Sequence, residues 1–153
     1  MRLLLTVCLA FAAAASLATA ASADNMSSAA SSATIVMPDS LTWAPVSNIP
    51  GASMAVLTGD PTKAGSLYTA RLKLPAGTKI PLHWHPDSER VTVLSGMLMF
   101  GSGASVDMAS MKTLGPGSFI SIPAGVRHGG MAKTDTILQV TGNGPMVFNI
   151  VKQ

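Results

Sequence analysis

His83 and His85 are separated by one residue, Glu89 follows four positions later, and the chain's third and last histidine is His128. In an extended strand alternate side chains share a face, so His83 and His85 point the same way. Their Cα atoms then lie roughly 6–7 Å apart at about 3.3 Å per residue, and two imidazoles at that spacing can converge on one ion. Pro86 ends such a strand, and Pro86-Asp87-Ser88 reads as a tight turn. Glu89 then opens the next strand and can bring its carboxylate back to the same point, while His128 must arrive from elsewhere in the fold. A lone His-x-His on an exposed strand is more often without a ligand, so the weight falls on the pattern around it.

The elements that must position these groups read as strands. Ser53–Thr58, Ser66–Leu74, Lys79–His85, Arg90–Ser95, Met97–Gly101, Ser118–Ile122, Thr136–Thr141 and Met146–Val151 are short, rich in β-formers or apolar residues, and punctuated by Gly, Pro, Asp or Asn. Helix signals are nearly absent; Val106 to Met111 is the one stretch read as a helical turn. Many short strands with regular turn signals predict an all-β sandwich or barrel. Pro75-Ala76-Gly77 and Pro123-Ala124-Gly125 each precede a histidine-bearing segment. Proline presets one turn position and glycine supplies a permissive one, so one turn device introduces two strands. That suits a jelly roll of two similar halves, or is a chance sharing of a common tripeptide.

The glycine spacing extends the pattern. Gly77, five residues, His83-Trp84-His85, three residues, Glu89, six residues and Gly96 form a first motif; Gly117, five residues, Pro123-Ala124-Gly125, two residues and His128 form a second. Twenty residues separate the two. This resembles the paired motifs of the cupin superfamily at nearly every fixed position, from Gly77 to His128. The resemblance implies a small jelly-roll (cupin) β-barrel with one metal near its mouth, held by His83, His85, Glu89 and His128. The family pattern ends with an Asn four residues after the last His, where this chain has Ala132. That Asn is not a ligand, so the departure bears on the local strand end and not on the metal. Three imidazoles and a carboxylate suit one divalent transition metal, Mn, Fe, Ni, Cu or Zn, with up to two open positions in an octahedral site. The lack of thiolates argues against a closed structural zinc site.

The neighbouring residues have structural readings. Gly77, Gly96, Gly117 and Gly125 are expected to allow turns with positive φ. Trp84 faces away from the metal if the strand is regular, for packing or a subunit contact, which leaves a homodimer open. Asp87 falls in the expected turn and is solvated. Thr69, Arg71 and Lys73 share a face expected to be exposed rather than to line a pocket. Gln139 is either a pocket hydrogen-bonding residue or an outward polar position.

The first residues read as an export signal: basic Arg2, an apolar run from Leu3 to Phe11, then Ala/Ser-rich sequence with small-x-small sites at Ala18-Thr19-Ala20 and Ala21-Ser22-Ala23. Charge begins at Asp24, which favours cleavage after Ala23. An uncleaved anchor is the alternative, but about nine positions are strongly apolar where a span takes roughly twenty. Cys8 follows bulky Val7, against lipidation. The expected organisation is residues 1–23 as signal peptide, 24–34 as a Ser/Ala-rich flexible linker and 35–153 as the cupin domain, exported to the periplasm or secreted. Cys8 is the chain's one cysteine, so the mature domain has no disulfide framework. Without Arg2, nine basic residues face seven acidic ones (ten less one, against seven). The basic residues are scattered, so no nucleic-acid partner is expected, and no membrane partner after signal cleavage.

A small-molecule ligand or substrate is the expected partner. Two functional readings follow: a metal-dependent oxygenase, decarboxylase or related enzyme with Glu89 as ligand, or a metal or small-ligand binding protein without turnover. The chain has no spare histidine, and no further carboxylate is placed for acid–base work, which favours a reaction that relies on the metal alone. Plant germin-like proteins share the motif and export, but the Cys pair usual in germins is missing here. Zinc-dependent anti-sigma or sensor cupins carry a partner-binding helical segment, and this chain shows none. The chain is most similar to small exported single-domain bacterial cupins.

Overall fold

The structure, a computed structural model, describes residues 32–104 and 107–152. The expected signal peptide and nearly all of the expected linker lie outside the described residues. Among the described residues, eleven strands follow a 3₁₀ turn at Pro38–Ser40: β1 (Ala44–Pro45), β2 (Ser53–Thr58), β3 (Leu67–Leu74), β4 (Lys79–Trp84), β5 (Glu89–Ser95), β6 (Leu98–Ser102), β7 (Lys112–Leu114), β8 (Phe119–Ile122), β9 (His128–Ala132), β10 (Thr136–Asn143) and β11 (Asn149–Ile150). They form two antiparallel sheets, ordered β1-β2-β3-β10-β5-β8 and β11-β4-β9-β6-β7. Ile35–Gln153 forms one compact unit, a jelly roll.

Alternation within the strands explains which sheet face turns inward. In β3, Tyr68, Ala70 and Leu74 are buried; in β10, Thr136, Leu138, Val140 and Gly142 are buried and the residues between them less so. Val91 and Val93 do the same in β5. Together with Ile49, Leu98, Ile122 and Ala132 these side chains make one core between the sheets, which is the burial a period-two pattern demands.

Most expected strands are found within a residue or two, and the differences have causes. In the apolar run Met146–Val151, strand structure is confined to Asn149–Ile150. The Met146 N–H donates to the Pro61 carbonyl at 2.7 Å, and the Val147 carbonyl is taken by the His85 ring, so these backbone groups are not free for a ladder. β9, the middle strand of its sheet, is signalled in the sequence only by the Pro123-Ala124-Gly125 turn before it, because its own residues, His-Gly-Gly-Met-Ala, are poor in β-formers. Its glycines answer to close packing instead: an ideal Cβ on Gly130 would collide with the Met99 carbonyl of β6. β1 and β7 are two and three residues long, too short for a periodic signal. The helical turn expected from Val106 to Met111 is a 3₁₀ turn at Met108–Ser110, capped by Asp107, whose carboxylate accepts from the Ala109 N–H.

The two Pro-Ala-Gly turns are built alike. The Thr78 N–H donates to Pro75 O at 3.0 Å and the Val126 N–H to Pro123 O at 3.2 Å. Gly77 and Gly125 have φ of 82° and 76°, the left-handed values a type II turn needs at its third residue. Gly96 and Gly117 also have positive φ. The turns deliver β4 and β9 as antiparallel neighbours with His83 opposite His128.

Candidate metal centre

β4 carries His83, and His85 lies just beyond its end; Glu89 opens β5 and His128 opens β9. Pro81 sits inside β4, where it cannot donate to the ladder, and the pairing with β9 shifts register between Ile80 and His83. The Pro81 carbonyl accepts from His83 Nδ1 at 2.8 Å. The Val126 carbonyl accepts from His128 Nδ1 at 2.9 Å, the same two-residue reach. Val147 O accepts from His85 Nδ1 at 2.6 Å. A carbonyl can only accept, so each Nδ1 carries the proton and each neutral ring turns a lone pair outward from Nε2.

Those lone pairs converge. His83 Nε2 lies 3.1 Å from His85 Nε2, and Glu89 Oε2 lies 3.7 Å from His85 Nε2 and 3.4 Å from His128 Nε2. His128 Nε2 is buried without a hydrogen-bond partner. Ligand atoms of the three histidines fall within 4.8 Å of one another. Four electron-pair donors thus face one point, with the ring protons committed elsewhere. Two donors each about 2.1 Å from a shared ion stand roughly 3–3.5 Å apart, close to the spacings here. The three histidines can hold a metal ion, and the carboxylate lies against them.

The surroundings keep the donors ready. His83 is 3% exposed, and burial, then the repulsion that a proton on it would meet from the adjoining His128 imidazole, pushes its pKa down to about 4 against the pull of the Pro81 carbonyl. Burial works against the Glu89 carboxylate, but the neighbouring imidazoles, His128 foremost, outweigh it and hold the carboxyl below its ordinary range. Phe148 stacks on the His83 ring at 3.7 Å and 12°. Phe148 and the Val147 carbonyl were not recognised as site components in the sequence, where the only signal was the apolar character of the run.

The donors line part of a cavity of about 80 Å³. Elsewhere its walls are apolar, with Leu72, Ile80, Phe100, Ile120, Leu138 and Phe148 among them. Arg71 borders this cavity and is half-buried, like Thr69, whose hydroxyl is 3.1 Å from that of Thr141. That face of β3 is therefore less open than expected; Lys73 alone is exposed, its ammonium 4.5 Å from the centre of the Trp43 ring. Gln139 pairs with Arg71 and Thr92 and stands between buried Leu138 and Val140, so it points outward. Asp87 is exposed, as expected of a turn residue. Trp84 is half-buried and absent from the cavity wall.

Residues 70–141 match the family model of the cupin domain, Cupin_2. Over those residues the chain carries a cupin type-2 domain. In sequence it is similar to germin-like protein subfamily 3 member 1 of Arabidopsis thaliana, 40% identical over 63 residues. That match takes in 40% of this chain and 30% of the plant protein, so the chain corresponds to under a third of that relative. In structure it is similar to the polyketide cyclase RemF of Streptomyces resistomycificus, with a TM-score of 0.66 and 18% identity over 80% of this chain and 87% of the cyclase. It is also similar to a putative acetylacetone dioxygenase of Methylibium petroleiphilum PM1, with a TM-score of 0.62 and 20% identity over 79% and 82% of the two chains. At such identities these structures share the fold with this chain, and function is a separate matter.

Proposed function

We propose that this protein binds one divalent transition metal, Mn, Fe, Ni, Cu or Zn, on His83, His85, Glu89 and His128, and that it acts as a metal-dependent oxygenase or related enzyme on a small organic molecule. The observation that carries the reading is the convergence of the Nε2 lone pairs and the Glu89 carboxylate in the wall of an otherwise apolar cavity. When bound, the ion supplies a Lewis-acid or redox centre with open positions. The chain's own part is to fix the donors and shed water. The carbonyls of Pro81, Val126 and Val147 set the ring tautomers, Phe148 holds the His83 ring plane, and the apolar wall excludes water from the reacting end. The wall selects a substrate with one polar, electron-rich head for the ion and an apolar remainder.

Among the described residues Glu89 is the one carboxylate bordering the cavity, and it is assigned to the ion. That disfavours acid–base chemistry needing a second group and supports chemistry carried by the metal. Elemental analysis of the purified protein should give about one metal per chain, lost in a His83→Ala/His128→Ala double variant. Dioxygen uptake by the reconstituted protein with small ketones and diketones then tests turnover. Binding of such a compound with no uptake would leave the non-catalytic ligand-binding reading in its place. We also propose that the chain is exported, on the charge and hydropathy pattern of its first residues.

A further inference from the structure

Tyr68, Gly142 and Glu89 form a row across three strands on the inner face of one sheet. Tyr68 pairs with Gly142, and the next residue back along β10, Thr141, pairs with Arg90, which places Gly142 beside Glu89. Tyr68 is 3% exposed. An ideal Cβ on Gly142 would lie 3.0 Å from Tyr68 Oη and 3.3 Å from its Cζ, so the hydroxyl end of the ring rests on the space that a side chain at 142 would take. A second, small cavity of about 10 Å³ is bounded by Tyr68, Gly142, Glu89 and His85. One water needs about 10–15 Å³ measured in this way. A buried phenol seeks a hydrogen-bond partner, and of the two carboxylates that bound this cavity, half-buried Glu89 and exposed Asp87, Glu89 is the more enclosed.

We infer that Tyr68 is a positioning residue for Glu89: its hydroxyl, through one water in this cavity, holds the Glu89 carboxylate toward the three imidazoles. The role rests on the proposed ligand set. Carboxylates that bind metals are themselves held by such outer hydrogen bonds, and losing one typically costs 10–100-fold in metal affinity. Burial, and then the Glu89 charge, push the phenol up to about 12, so it stays a donor across the neutral range. Gly142 is part of the device, since any side chain there would displace the hydroxyl.

Tyr68 is the chain's one tyrosine, which gives a spectroscopic handle. In full-length protein labelled with [13Cζ]tyrosine and stripped of metal, Glu89→Gln should shift the single phenol resonance, while Asp39→Asn, in the exposed turn at Pro38–Ser40 away from this cavity, should leave it in place. Tyr68→Phe should fold and bind Zn(II) about 10-fold more weakly than wild type in a chelator competition. A resonance unmoved by Glu89→Gln, or a folded Tyr68→Phe protein with wild-type Zn(II) affinity, would overturn the inference. The labelled arm keeps Tyr68 in place and so decides the contact even if Tyr68→Phe fails to fold. Should wild-type protein itself not bind Zn(II), the proposed ligand set falls, while the resonance shift still reports whether Tyr68 and Glu89 are joined.

Discussion

At the scale of single residues, the centre is a problem of proton placement. Each ring nitrogen facing a carbonyl must keep its proton, and each facing the centre must lose it. His83 shows the cost in pH dependence. Its folded pKa, near 4, lies below its ordinary value of 6.5, so below about pH 6.5 the unfolded chain binds a proton there that the folded chain refuses. The stabilisation is complete above pH 6.5 and is lost as pH falls toward 4. In the metal-free protein the loss from His83 should approach about 3 kcal/mol, at about 1.4 kcal/mol per pH unit. Glu89, held below its ordinary range, acts in the same direction at lower pH. Urea unfolding of chelated protein at pH 7, 5.5 and 4.5 measures this, and a His83→Phe variant should show a flatter profile. Equal pH dependence in both proteins would mean that His83 is not the group responsible. Phe148 is the other residue with a defined task here. Phe148→Ala removes the ring stacked on His83 and should destabilise the half-buried site by about 2 kcal/mol, with weaker metal binding in the same variant.

At the scale of elements, glycines serve two different physical ends, and substitution separates them. Gly125 has φ of 76° and open space where a Cβ would stand, so Gly125→Ala meets only the backbone cost, about 1–2 kcal/mol. Gly130 lies in the middle of β9, where a Cβ would collide with the Met99 carbonyl. Gly130→Ala must part β9 from β6 and should cost more, about 3 kcal/mol or beyond. Thermal melts of the two chelated variants would check the order; a Gly130→Ala protein as stable as Gly125→Ala would show that the sheet yields there. The same contrast explains what could be read in the sequence. The strands with β-branched alternation, β2, β3, β5 and β10, announce themselves through side chains whose pattern is local. β9 does not, because its identity as a middle strand comes from the neighbours that press on Gly129 and Gly130. The motif spacing brought His83, His85, Glu89 and His128 together on paper. The Val147 carbonyl and Phe148 reach the site through a loop whose path depends on a contact with Pro61, and no spacing rule carries that.

At the scale of the whole molecule, the core and the ion are separable contributors. The buried cluster from Ile49 to Val140 lies between both sheets and does not depend on the histidines, so the chelated protein should keep a β-sheet spectrum in circular dichroism. Metal should then add stability by mass action, about 4 kcal/mol at a free concentration near a thousand times the dissociation constant. Collapse to a random coil on chelation would instead mark the site as a structural one. Release in acid follows from the same donors. Three imidazoles must each be neutral to bind, and a free imidazole titrates near pH 6.5. At His83 the competition from protons comes later, because burial has already weakened its proton affinity. A tighter ion moves the whole release downward without changing its steepness. Metal release followed between pH 7 and 4 should take up more than one proton per ion, read from the slope of the logarithm of affinity against pH. Affinity that stayed flat from pH 7 to 5 would remove the histidines from the ligand set, and the cavity would be left as the binding feature of the barrel.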